Sequence, residues 1–199
     1  MMKIMVINMI NCILAGVGGQ GTVLASKLIA QSAIDKGLNA RTAETIGMAQ
    51  RGGCVVSHVR IGETIHSPMI PLHSADLIIG FEPAEAVRCL DYLKKDGIMI
   101  VSQKAIRPVT ASLKNSTYNG IEMIEFLKER VKQLYIIDGE KICNEVGSAK
   151  VLNVVLLGVA AKTGVLGLTL EDIKNTIKSK LSSKYIDMNL TALEAGANV

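Results

Sequence analysis

Eight residues near the amino end, Leu14-Ala15-Gly16-Val17-Gly18-Gly19-Gln20-Gly21, have the composition and spacing to hold an anion. Gly16, Gly18 and Gly21 satisfy G-x-G-x-x-G, and Gly19 adds a further glycine. In that pattern Gly16 lets the chain leave a strand in a tight turn. Gly18 removes a side chain where a ligand or another backbone approaches, and Gly21 lets a helix sit close to the strand. The helix that follows offers unpaired N–H groups and the positive end of its dipole. Val17 and Gln20 complete the candidate cradle. The bland alternative is a turn that binds nothing and only packs helix on strand.

A second stretch, Ala43 to Cys54, is less generic and supplies Glu44, Met48, Gln50, Arg51 and Gly52 to the same candidate site. Arg51 is a cation set between Gln50 and two glycines, suited to a two-pronged grip on phosphate or carboxylate. Glu44 stands about 20 residues past the glycines, where a dinucleotide fold places the acid that binds a ribose. That spacing supports a second reading, an independent NAD- or FAD-binding enzyme. Against it, the second strand leads into a glycine-rich loop and a hairpin rather than a crossover helix. The loop is expected at the carboxyl edge of the sheet, beside the first glycine turn. A third reading is a ligand-free interaction scaffold.

The remaining reactive residue types form no constellation. His58 lies mid-strand and reads as a structurally satisfied histidine. His66 and His73 have no Cys, Asp or Glu at metal-ligand spacing. Arg60 reads as a surface cation. The cysteines, at 12, 54, 89 and 143, make no C-x-x-C, so neither zinc nor an iron–sulfur cluster is expected. Cys54 beside Arg51 has no paired base.

The elements that would position these residues alternate strand and helix. Strands are expected at Asn11–Ala15, Ala40–Thr45, Asp76–Phe81, Ile98–Ser102 and Leu134–Asp138. Cys54–Arg60 and Ile65–Ser67 are expected to form a β-hairpin. Apolar residues at three- and four-residue steps predict helices at Gln20–Lys36, Ala84–Lys95, Ile121–Gln133, Glu140–Val146, Ala149–Lys162 and Leu170–Leu181. One or two further turns are expected at Asn189–Ala195. The class is α/β: a Rossmann-like, three-layer, mostly parallel sheet with helices on both faces and an inserted hairpin, in one domain spanning residues 1–199.

Composition narrows the partners. Net charge is only +4, and Trp is absent with two Phe, so nucleic-acid binding has little support. The apolar start, Met1 to Ile13, lacks a basic n-region and a cleavage site and reads as a strand with a short lead. No stretch reaches the roughly 18 apolar residues of a membrane span. A reducing, cytoplasmic setting is expected.

Together, Gly16-Val17-Gly18-Gly19-Gln20-Gly21, Glu44-Thr45-x-Gly47-Met48-Ala49-Gln50-Arg51-Gly52-Gly53, Ser57-His58-Val59-Arg60 and Ser67-Pro68 resemble one family. It is the gamma-type subunit, or catalytic domain III, of 2-oxoacid:ferredoxin oxidoreductases, closest to the indolepyruvate enzyme's beta subunit. Ala75-Asp76-Leu77, Phe81-Glu82-Pro83-x-Glu85-Ala86 and Asn153-x-x-Leu156-Leu157-Gly158 fit as well, so the resemblance covers essentially the whole chain. It departs at Ile46, often His in the family, and at Cys54, often Ser. The resemblance implies a subunit that does not act alone. Thiamine diphosphate, Mg and iron–sulfur clusters are expected on a partner, with ferredoxin as electron acceptor and a 2-oxoacid and CoA as substrates. No catalytic residue and no metal are assigned to this chain. CoA or another phosphate group is a candidate ligand of the glycine turn, and a homodimer is open to the isolated chain.

Overall fold

A computed structural model describes residues 9–47, 52–107 and 118–199. Six strands form one sheet: β1 (Ile10–Val17), β2 (Asn39–Ile46), β3 (Cys54–Gly62), β4 (Ala75–Gly80), β5 (Leu93–Ser102) and β6 (Gln133–Ile137), in the order β2-β3-β1-β4-β5-β6. The strands β1, β4, β5 and β6 are mutually parallel, and β3 runs antiparallel to both its neighbours. Ile13, Leu14 and Ala15 at the centre of β1 are fully buried, as expected for a strand covered on both faces.

Helices cover the two faces unequally. Against one face lie α1 (Thr22–Asp35), α4 (Gly139–Val146), α5 (Leu152–Thr163), α6 (Leu170–Lys180) and α7 (Ser183–Ala197). The other carries α2 (Pro83–Arg88) and α3 (Ile121–Arg130), with Ile70 of the β3–β4 loop completing the core. The helix α5 is apolar all round because it is buried between the sheet and α7. There Gly158 and Gly196 let two backbones touch: a Cβ on Gly158 would lie 2.1 Å from the Leu193 carbonyl oxygen, and one on Gly196 2.0 Å from that of Val155.

Three expectations are corrected. Ile65–Ser67 forms no strand; β3 instead inserts between β2 and β1, pairing along its length with both. The helix expected at Ala84–Lys95 ends at Arg88, and Leu93 already belongs to β5. Gly97 therefore lies within β5. It sits where the β4–β5 register shifts, and a Cβ there would lie 2.7 Å from Leu93 and 3.0 Å from the Ala75 carbonyl oxygen. The last helix starts at Ser183, not Asn189; its first turn, Ser183-Lys184-Tyr185, is exposed and shows no apolar face in sequence.

Candidate functional site

The chain from β1 passes through α1 on one face of the sheet, and the chain from β4 passes through α2 on the other. The strands β1 and β4 are neighbours, so their carboxyl ends flank a topological switch point, where open α/β sheets bind ligands. The glycine turn follows β1 there, and Phe81-Glu82-Pro83 follows β4.

Within the turn the glycines divide their tasks differently from the sequence expectation. Gly16 still belongs to β1 and is closely packed: a Cβ would lie 2.8 Å from Gln20 Oε1 and 2.9 Å from both Phe81 Cβ and Thr22 Cγ2. The reversal is made at Gly19 (φ 98°) and Gly21 (φ 81°), both left-handed. Gly21 is the N-cap of α1, and a Cβ there would strike Asn153 of α5 at 2.8 Å, so it allows helix–helix rather than helix–strand contact.

Many polar groups of the turn are already satisfied. Val17 N–H donates to Gln20 Oε1 at 2.8 Å, and Gln20 Nε2 donates to the Phe81 carbonyl at 2.9 Å. Gln20 thus ties the turn after β1 to the turn after β4. Gly18 N–H donates to the Gly53 carbonyl at 2.9 Å, which brings the residues just before β3 alongside, with Gly52 N 3.9 Å from a Cβ built on Gly18. Among the described residues, no side chain caps α1 and nothing lies within 4 Å of a Cβ built on Gly19. What the turn offers a ligand is the Gly19 backbone and the first-turn N–H groups of α1, a geometry suited to phosphate. Met48, Gln50 and Arg51 lie outside the described residues.

Glu44 stands apart from this crevice. Because β3 intervenes, β2 is not adjacent to β1, as the acid-bearing strand of a dinucleotide site is. Its exposed carboxylate instead accepts from Ser26 Oγ of α1 at 3.4 Å. That arrangement weighs against the NAD or FAD reading.

Across the switch point, Glu82 is a functional-looking carboxylate to which the sequence reading gave no role. It is 2% exposed and caps α2, accepting from Ala84 and Glu85 N–H at 2.8 and 3.1 Å through Oε2. Its Oε1 accepts from the Tyr118 hydroxyl and from Ile106 N–H. Burial, with the Glu82 hydrogen bond and charge, pushes the Tyr118 phenol well above its usual range. Burial also raises Glu85; Arg88, 3.7 Å away, opposes that and Glu82 adds to it. The available signal was an acid directly before a proline at the first helical position. Beyond it, a cavity of about 520 Å³ opens past the ends of β5 and β6, lined by Lys104, Tyr118, Gly120, Ile124 and Glu140 among others. Lys104 and Glu140 are paired across it at 2.7 Å.

The other candidates are structural. His58 is 2% exposed, accepts from Ile70 N–H through Nδ1 at 3.2 Å and meets the Tyr92 ring edge-on; burial lowers its pKa. Arg60 is not a free surface cation. Its guanidinium donates to Asn11 Oδ1 at 2.9 Å and to the Ser67 and Met69 carbonyls at 2.9 and 3.2 Å, fastening the β3–β4 loop. His66 and His73 are exposed, and among the described residues no His, Cys, Asp and Glu group suits a metal. Burial, with Glu85 and Cys54 nearby, pushes the Cys89 thiol up to about 12.

The model of the family described as pyruvate ferredoxin/flavodoxin oxidoreductase matches residues 11–199. The chain belongs to that family. A curated relative, indolepyruvate oxidoreductase subunit IorB of Thermococcus kodakarensis, is 38% identical over 188 residues, covering 94% of this chain and 93% of that protein. The fold is shared with pyruvate oxidoreductase subunit PORC of Thermotoga maritima (TM-score 0.72, 19% identity, 96% and 97% of the two chains). It is shared also with 2-oxoglutarate:ferredoxin oxidoreductase of Magnetococcus marinus (TM-score 0.70, 18% identity), where this chain corresponds to 31% of a longer polypeptide. The family assignment agrees with the resemblance carried by the glycine turn and the Glu44–Gly53 stretch, and with an oxidoreductase subunit rather than a free-standing dinucleotide enzyme.

Proposed function

We propose that this chain is the non-autonomous subunit of an indolepyruvate-type, aryl-preferring 2-oxoacid:ferredoxin oxidoreductase. The 38% identity to an IorB subunit along nearly the whole of both chains carries the reading. Thiamine diphosphate with Mg, and the iron–sulfur clusters, are assigned to a partner subunit. Thiamine supplies decarboxylation chemistry, and the clusters pass electrons singly to ferredoxin. This chain contributes no reacting group of its own and closes one wall of the shared centre, in the cytoplasm.

Its own residues act on the acyl acceptor. CoA carries phosphates, and the uncapped start of α1 with the side-chain-free Gly19 suits one of them. Gln20 fixes the two turns so that these N–H groups keep one direction without rearrangement. The Magnetococcus marinus structure was determined with 2-oxoglutarate, coenzyme A and succinyl-CoA bound, which makes CoA a reasonable acceptor for a relative. Calorimetric titration of the reconstituted complex with CoA, and with CoA lacking its 3′-phosphate, tests this. Saturable binding abolished by a bulky substitution at Gly19 is expected. Absence of CoA binding in an active complex overturns the acceptor role while leaving the subunit assignment intact.

A further inference from the structure

Among the described residues, no strand lies beside the outer edge of β2. Gly47 N–H donates to the Cys54 carbonyl at 2.7 Å, which fixes the phase of the β2–β3 ladder. Thr45, Ala43 and Arg41 therefore turn their backbone groups toward β3, and Ala40, Thr42, Glu44 and Ile46 turn theirs outward. Ile46 at this edge is 65% exposed. An open eight-residue edge of this kind is a template for another strand.

Beside the edge runs a mainly apolar groove of about 410 Å³, lined by Leu24, Lys27, Gln31 and Ile34 of α1, Thr42 of β2 and Leu181. Leu24 and Ile34 are 39% and 50% exposed. These four α1 positions form a stripe at helical spacing, and the stripe is symmetric about Ile29. In an antiparallel helix pair centred there, Leu24 meets Ile34 and Lys27 meets Gln31, each twice. The strand edge has a matching centre. With Ala43 on a two-fold axis, Thr42 stands opposite Glu44 and Ala40 opposite Ile46, so all four outward-facing residues find backbone partners. No like charges are opposed: the Thr42 hydroxyl faces the Glu44 carboxylate, and Arg41 faces Thr45.

The two centres lie close together. The Ser26–Glu44 hydrogen bond places these residues near one another on α1 and β2. Ile29 lies about 4.5 Å further along the helix, and Ala43 about 3.3 Å further along the strand in the same direction. One axis thus serves both surfaces. We propose that β2 and α1 form an isologous interface with a second copy of this chain, β2 pairing antiparallel with its own copy about Ala43 to make one continuous sheet. Self-complementarity of this kind is what a two-fold contact requires, and it favours a second copy over an unrelated strand.

Sedimentation velocity on the full chain, with and without the partner subunit, tests the proposal. The wild-type chain is expected to be dimeric. Thr42→Pro removes an outward N–H that β3 does not use, so the fold is kept; it should weaken association more than about tenfold. Ala43→Cys should give a disulfide-linked dimer on mild oxidation. Arg41→Cys and Thr45→Cys should cross-link when mixed and not singly. A monomeric wild-type chain at about 100 µM, well above the affinity of a specific dimer, overturns the proposal. So does a dimer indifferent to Thr42→Pro, or cross-linking of Ala43→Cys to the partner subunit.

Discussion

Gln20 and Phe81, sixty-one positions apart, are joined by a hydrogen bond of 2.9 Å from the Gln20 amide to the Phe81 carbonyl. The other end of the same amide accepts from Val17 N–H. One side chain therefore sets the spacing between the two turns that frame the switch point. Gln20→Leu leaves a strand-end N–H and a carbonyl without partners, at a cost of about 1–3 kcal/mol. In the reconstituted complex it should raise the KM for CoA more than it lowers kcat, because it loosens the cradle without touching a reacting atom. Steady-state kinetics varying CoA against the 2-oxoacid separates the two. Unchanged KM values would contradict a positioning role.

Glu82 receives four donors in the interior, two from the start of α2 and two from the chain that covers it. Glu82→Gln puts an NH₂ against N–H or O–H groups on one side and should destabilise by about 1.5–3 kcal/mol, the range for hydrogen bonds to a charged group. Tyr118→Phe removes one donor and should cost about 1–2 kcal/mol. Urea unfolding of the two variants and of the double variant measures the coupling. Additivity would show that Tyr118 and Glu82 do not act as a unit.

The contact between α5 and α7 leaves no room for a methyl group. Gly158→Ala and Gly196→Ala should each destabilise by at least about 1–3 kcal/mol, since backbone rather than a side chain would have to move. A thermal unfolding midpoint lowered by less than that of Gly147→Ala, where a Cβ meets nothing within 4 Å but φ is 91°, would contradict the packing.

His58 must be neutral at Nδ1 to accept from Ile70, and burial lowers its pKa from the usual 6.5. The unfolded chain therefore binds the proton more readily than the folded one. Stability from this group is complete above pH 6.5 and falls as pH drops below it toward the folded-state pKa. Thermal unfolding between about pH 5 and 8 should show a steeper acid-side loss in the wild type than in His58→Asn, which keeps an acceptor and does not titrate. Equal slopes would place the acid sensitivity elsewhere.

Local signals were legible in the sequence where local physics decided the structure. The apolar run before Gly16, the helix pattern after Gly21 and the three- and four-residue apolar steps over Leu170–Leu181 place β1, α1 and α6 within a residue or two of where they lie. The insertion of β3 between β2 and β1 was not legible, because neighbours in a sheet are chosen by long-range pairing. That one choice moves Glu44 away from the crevice. The end of α2 was missed because Leu90 and Leu93 continue the helical spacing, while Leu93 is taken up by the β4–β5 ladder opposite Ala75. Gln20 looked like a ligand group, and only the fold reveals that both ends of its amide are engaged.

The most direct test joins this chain to a thiamine- and cluster-bearing partner and follows indolepyruvate-dependent reduction of ferredoxin, with and without CoA. Turnover is expected only when both polypeptides and CoA are present, with aryl pyruvates preferred over pyruvate. Reduction of ferredoxin by this chain alone, or full activity of the partner without it, would contradict the assignment of a subunit that completes a centre it does not own.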